Sequence, residues 1–139
     1  MPDSKYSHHV STDIVVMGKK GRPIVSTRHL ESFGEGNMSF ESIYIPSPRV
    51  MISQPHKHEF IQYLCFCSAN PDDPYEFDAE VEISLGEEHE RQIIDKPGIV
   101  YVSAGLSHGP LNFVRVDKPI LFIDIALSGK YERVRDTPD

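Results

Sequence analysis

The chain has 139 residues, 14 Lys and Arg, 21 Asp and Glu, and a formal net charge of −7 at pH 7. This length fits one domain, residues 1–139, which can bury enough surface to fold without a disulfide or a metal. The negative charge argues against binding to a nucleic-acid backbone, and no apolar run approaches the ~20 residues that span a membrane.

Cysteine content and the N-terminal sequence bear on the cellular compartment. Cys65 and Cys67, if they lie in a strand, share one face about 7 Å apart, too far for an easy disulfide bridge. A C-x-C pair can form half of a zinc site, but with no other cysteine in the chain we favour two small buried hydrophobes. The N-terminal residues lack the pattern of a secretory signal. We therefore expect a cytoplasmic protein.

Short strands separated by turn sequences dominate the predicted elements. The 11 Pro and 9 Gly fit many turns, and the single helical candidate, residues 28–33, is only about one turn long. Strands at roughly ten-residue spacing predict an all-β sandwich or barrel. The predicted strands are 13–17, 42–45, 61–67, 80–85, 91–94, 99–102, 113–116 and 120–127. Residues 1–12 and 129–139 are mostly polar and are interpreted as tails, or as arms that add to a neighbouring subunit.

Two closely spaced histidines are the first sign of chemistry. In an extended chain, alternate side chains lie on one face, so His56, His58 and Gln62 would share a face that continues into apolar residues. Two neutral imidazoles at this spacing can chelate one transition-metal ion. A solvated pair of histidines on a surface strand is the alternative. Glu59 is the nearest carboxylate, but its position in the alternation directs it to the other face.

A third histidine, His108, follows a glycine-punctuated strand and turn. With it, residues 40–127 resemble a small single-domain cupin. That family's first motif, G-x5-H-x-H-x3,4-E-x6-G, matches at His56, His58 and Gln62. Its second, G-x5-P-x-G-x2-H-x3-N, matches at Gly98, Gly105, His108 and Asn112, with one residue fewer after Gly98. The resemblance implies a double-stranded β-helix, or jelly-roll, barrel in which three His and one carboxylate hold a divalent ion.

The departures from the motifs affect mainly the ligand set. Gln62 stands where the family usually has Glu, whereas the replacements at Val50, Ala69 and Ser103 concern turn positions. An amide does not neutralise the charge of the ion as a carboxylate does, so we expect a more electropositive site that attracts an anion. The predicted ligands are His56, His58 and His108, with Gln62 as a weak fourth ligand of one Fe, Ni, Zn or Mn ion.

Three further residues are candidates for acid–base catalysis. Tyr101 could offer a hydroxyl to the pocket, although a packed barrel aromatic is the alternative. Glu82 lies on the polar side of an alternating strand, which is usually solvated. Asp124 lies within an apolar run and needs a partner: a His nitrogen, an Arg or a backbone donor.

The resemblance leaves more than one function open. A metal-dependent dioxygenase, isomerase, lyase or decarboxylase acting on a small, anionic, oxygen-rich molecule is favoured. A non-enzymatic binding or sensing module is the alternative, because one fold hosts many functions, and a metal-free structural cupin is a third possibility. A homodimer formed through an open edge strand is also expected, with a small-molecule ligand and no nucleic-acid or membrane partner.

Overall fold

Strands form nearly all of the regular structure in the computed structural model, which describes residues 5–30 and 33–128 and the backbone of residues 134–135. Two short 3-10 turns, Ser7–His9 and Arg28–Leu30, are the helical elements of this part of the chain. The strands are β1 (Val15–Met17), β2 (Pro23–Ser26), β3 (Ser39–Ile45), β4 (Arg49–Ile52), β5 (His56–Lys57), β6 (Gln62–Ser68), β7 (Ala79–Leu85), β8 (Glu90–Ile94), β9 (Gly98–Val102), β10 (His108–Val116), β11 (Ile120–Ala126) and β12 (Val134–Arg135). None of the described helical segments has the length and apolar character needed to cross a bilayer.

The strands assemble into two antiparallel sheets. The first has the order β1-β2-β3-β11-β6-β9. The second has the order β12-β5-β10-β7-β8, and β4 also pairs with β10. Strands distant in sequence are neighbours in both sheets: β3, β11 and β6 in the first, and β5, β10 and β7 in the second. This arrangement confirms the prediction of a jelly-roll barrel.

The core lies between the two sheets because their inward faces are apolar. In β6, β7 and β11, buried side chains alternate with half-buried ones, as expected for strands with one face toward a core. Phe66, Phe113 and Phe122 meet at the centre, with ring centroids 5.2 to 6.1 Å apart. Each is at most 3% exposed. The three rings join residues from both sheets into one packed interior.

The eight predicted strands are all present, and the differences concern short elements and boundaries. Strand β10 begins at His108 rather than at residue 113, so the third histidine lies in the strand itself. Strands β2, β4 and β5 were not predicted because the sequences of Pro23–Ser26, Arg49–Ile52 and His56–Lys57 show no alternation of apolar and polar residues. Strand β12, which pairs with β5, lies within the segment expected to be a tail or arm. Residues 1–4 and the rest of 129–139 lie outside the described part.

Candidate metal centre

Three buried imidazoles form a compact cluster inside the barrel. His56 opens β5, His58 follows that strand, and His108 opens β10 directly opposite His56 in the antiparallel register. The centroids of the three rings are 4.4 to 5.3 Å apart. One nitrogen from each ring lies within 4.8 Å of the others. The side chains are 1–2% exposed, so the cluster is shielded from bulk water.

Glycines allow the backbone near His108 to fold closely against the segment that carries the other two histidines. Gly109 has φ +113°, and a Cβ atom there would lie 3.0 Å from Ile52 Cγ2 and 3.1 Å from the backbone oxygen of Gln54. Gly105 has φ +81°, and its backbone nitrogen donates to the carbonyl of His58 at 2.8 Å. Both positions favour glycine because other residues rarely adopt positive φ. The two glycines of this segment thus hold the backbone around His108 close to the segment that carries His56 and His58.

The hydrogen bonding of His108 settles which of its nitrogens can bind a metal. Its Nδ1 lies 3.1 Å from the carbonyl oxygen of Leu106. A carbonyl only accepts, so Nδ1 carries the proton and Nε2 of the neutral ring keeps its lone pair. A backbone carbonyl commonly orients a metal-binding imidazole in this way. In this tautomer Nε2 is the nitrogen of His108 that suits a metal ion.

A charged network lies beside the imidazoles, with Asp124 at its centre. Gln62 Nε2 donates to Asp124 Oδ1 at 2.6 Å, and an Arg28 Nη donates to Asp124 Oδ2 at 2.8 Å. Arg28 also contacts Glu41 at 3.2 Å. Burial raises the pKa of Asp124, although Arg28 and Gln62 both favour its ionised form. Burial also raises the pKa of Glu41, again against the influence of Arg28. The buried carboxylate of Asp124 thus has an ion-pair partner, and of the partners expected from the sequence it is an arginine, Arg28.

The residues present fit a divalent transition metal. Neutral imidazoles bind such ions well, and three of them converge here. Gln62 is 2% exposed, and its Oε1 accepts no hydrogen bond from the described residues. A buried acceptor of this kind usually has a partner, which a bound ion or its water ligand can provide. The role of Gln62 as a fourth ligand stays a prediction.

The structure does not bring Tyr101 or Glu82 to the imidazoles. Tyr101 is 54% exposed and packs against Tyr63, at 5.6 Å between ring centroids, because its neighbour Val102 occupies the inward position of β9. Glu82 lies between two buried residues of β7 and pairs with Arg91 at 3.4 Å on the outer face. Of the three catalytic candidates, Asp124 alone lies on the inward side, next to Gln62.

A cavity of about 670 Å³ opens beside the cluster and extends toward β1 and β2. His108, Gln62 and Asp124 border its inner part, and Arg28, Glu41 and Arg49 border the rest. Sequence reasoning missed these last three. Arg28 lies 96 residues from Asp124, and Arg49 lies on a four-residue strand, so no local spacing signalled either one.

Comparison with known proteins gives structural matches alone. No protein-family model matches the chain, and no curated protein does. An oxalate oxidase structure matches with 8% identity and a TM-score of 0.55, over 92% of this chain and 58% of that one. A Bacillus subtilis oxalate decarboxylase structure matches with 16% identity and a TM-score of 0.50, over 84% of this chain and 29% of that one.

The chain has a cupin fold. Another structural match, at 15% identity and a TM-score of 0.51, concerns the Mn(II) centres of the Bacillus subtilis oxalate decarboxylase, again over 84% of this chain and 29% of that one. The chain spans 58% of the length of the oxalate oxidase chain. At these identities the likeness concerns the barrel, while the metal centre rests on the imidazole cluster of this chain.

Proposed function

We propose that this cupin binds one divalent transition metal through His56, His58 and His108 and is an enzyme that acts on a small anionic molecule rich in oxygen. The observation that carries the proposal is the convergence of three buried imidazoles beside a cavity that also contains an inward carboxylate, Asp124. Oxalate oxidase and an oxalate decarboxylase with Mn(II) centres share the fold, which supports a divalent metal in a barrel of this shape. Fe, Ni, Zn and Mn are the proposed candidates for its identity.

The residues around the cluster have separable tasks in this proposal. When bound, the metal supplies a Lewis acid that polarises oxygen ligands and stabilises developing negative charge. The carbonyl of Leu106 orients the ring of His108. Gln62 and Asp124 form a hydrogen-bonded pair at the cavity wall, where a carboxyl with a raised pKa can exchange a proton with a ligand.

The placement of Asp124 favours an enzyme over a binding or sensing module. A barrel with apolar walls beyond the imidazoles could hold a ligand but could not exchange protons with it. Here a buried carboxyl lies next to a predicted metal ligand. Ligand binding without turnover in the metal-loaded protein would instead support the binding module.

Elemental analysis of the native protein, purified without chelators, tests the metal centre. We expect about one divalent transition metal per chain, and a loss of most of it in His56→Ala and His108→Ala. His8→Ala removes an exposed histidine remote from the barrel interior and serves as the matched control. Metal-free native protein, with unchanged thermal stability in both cluster variants after metal addition, would refute the proposal.

A further inference from the structure

Arg49 lies on the inward side of β4. In this strand Arg49 and Met51 are half-buried, whereas Val50 between them is 53% exposed. Arg49 is paired in register with Phe113 of β10, a core residue that is fully buried. Arg49 also borders the cavity that leads to His108. Its cationic side chain is therefore part of the cavity wall.

The charge of Arg49 is not balanced within the described part of the chain. Arg49 makes no ion pair or hydrogen bond with a described residue, and its Nε is buried without an acceptor. Burial lowers the pKa of Arg49, as expected for a cation withdrawn from water without an anion beside it. A cation that is partly withdrawn from water is stabilised by an anion beside it. The half-buried Arg49 therefore favours an anion at this point of the cavity wall.

Arg28, on the same cavity, provides the internal comparison. Its guanidinium contacts two carboxylates, Asp124 at 2.8 Å and Glu41 at 3.2 Å. The two acidic residues of the cavity wall thus share one arginine as their partner. The remaining charged residues at the wall and rim are all cations: Lys19, Lys20, Arg22 and Arg49. The cavity has an excess of positive charge in a protein whose net charge is −7.

The distance between Arg49 and the imidazoles constrains the length of the anion. Strands β4 and β5 lie along the same edge of β10, where Arg49 faces Phe113 and His56 faces His108. His108 and Phe113 are five residues apart along β10, so the backbones at the two levels are separated by about 16 Å. A bulge in the pairing with β4 shortens this separation, and the long side chain of Arg49 can cover part of the rest. Between these two levels β4 contributes the apolar residues Met51 and Ile52. Ile43, Leu64 and Phe122 add apolar side chains to the wall of the same cavity.

We infer that Arg49 binds the carboxylate of an organic acid whose other end carries the oxygen donor for the metal, with an apolar spacer between them. Arginine suits this task because its guanidinium can bind a carboxylate through two hydrogen bonds. The inference rests on the proposed function, and it narrows the substrate class. A two-carbon acid such as oxalate is too short to contact Arg49 and the cluster together. The acid for this cavity has a chain of several carbons.

A series of α,ω-dicarboxylates from oxalate to suberate tests the inference, with binding measured by calorimetry on the metal-loaded protein. We expect the native protein to bind the five- to eight-carbon acids at least tenfold more tightly than oxalate. Arg49→Met should weaken binding of these long acids about tenfold or more, as expected for the loss of a charged hydrogen bond. Arg91→Met removes a charge from the outer face and should change neither property.

Metal analysis of the same samples separates this inference from the proposed function. Native protein without metal refutes the metal centre itself. The role of Arg49 is overturned if the native protein contains about one metal per chain and binds oxalate as tightly as the long acids. It is also overturned if folded Arg49→Met binds the long acids as tightly as the native protein does. The length preference is measured on the native protein, so the inference can be refuted even if Arg49→Met does not fold.

Discussion

Replacement of Arg28 by methionine should destabilise the barrel strongly. The substitution keeps a long apolar side chain but removes the only described cation that contacts both Asp124 and Glu41. The side chains of Arg28 and Asp124 are 26% and 10% exposed. Two carboxylates would then remain close together in a largely enclosed site, with Gln62 as the donor that still serves Asp124.

The expected magnitude follows from the burial of the pair. Removal of one partner from a buried ion pair costs about 3–5 kcal/mol, and the partial exposure of Arg28 reduces this to about 2–4 kcal/mol. For a chain of 139 residues, such a change lowers Tm by roughly 6–15 °C. Loss of Arg28 also raises the pKa of Asp124 further. In the variant, the carboxyl of Asp124 therefore takes up a proton at a higher pH than in the native protein. A neutral carboxyl does not need Arg28, so the difference in stability between the two proteins is largest near pH 7 and decreases as pH falls.

Thermal and denaturant unfolding of Arg28→Met, Asp124→Asn and the double variant would measure the effect. The double-mutant cycle should give a coupling free energy of about 1–3 kcal/mol. Arg115→Met is the matched control, because Arg115 also contacts two carboxylates, Asp78 and Asp117, but on the surface. We expect little change for this control, since solvent screens exposed pairs. An Arg28→Met protein as stable as Arg115→Met, or a coupling free energy near zero, would refute the reasoning.

Three other perturbations test the metal centre, the core and the loop of His108. Removal of metal by a chelator should lower Tm, and a metal at 100 times its Kd should restore about 2.7 kcal/mol; an unchanged Tm contradicts metal binding. Phe113→Ala should cost about 3–5 kcal/mol in chemical denaturation, whereas Phe33→Ala, at a position 43% exposed, should cost under about 1 kcal/mol. Gly109→Ala should reduce metal content more than Gly105→Ala, because a Cβ atom meets Ile52 and the Gln54 backbone only at the first position. Equal metal contents in the two glycine variants would contradict that account.

The fold and the imidazole cluster could be predicted because their signals are local. Alternation marks β7, and the spacing of His56 and His58, together with the glycines before His108, marks the two motifs. The geometry of the cluster then follows from the register of β5 against β10. Short strands such as β4 carry no such signal, so the position of Arg49 on an inward face emerged from the structure.

The three catalytic candidates show how far alternation along a strand predicts the direction of a side chain. The segment from Ile99 to Val102 is apolar throughout, so its alternation cannot show which side chains point inward, and Tyr101 lies outside. For Glu82 the alternation with Val81 and Ile83 did favour the solvent side, and the structure agrees. Asp124 lies inward, but the identity of its ion-pair partner depends on a contact between residues 96 positions apart.

The pairing of β12 with β5 links residues 134–135 to the candidate metal centre. Strand β5 has two residues, His56–Lys57, and it is hydrogen-bonded to β10 on one side and to Val134–Arg135 on the other. Proteolysis or truncation that removes residues 134–135 would leave one edge of this strand open beside His56. Under the proposed function, the metal content of a purified sample would then report on whether residues 134–135 are present.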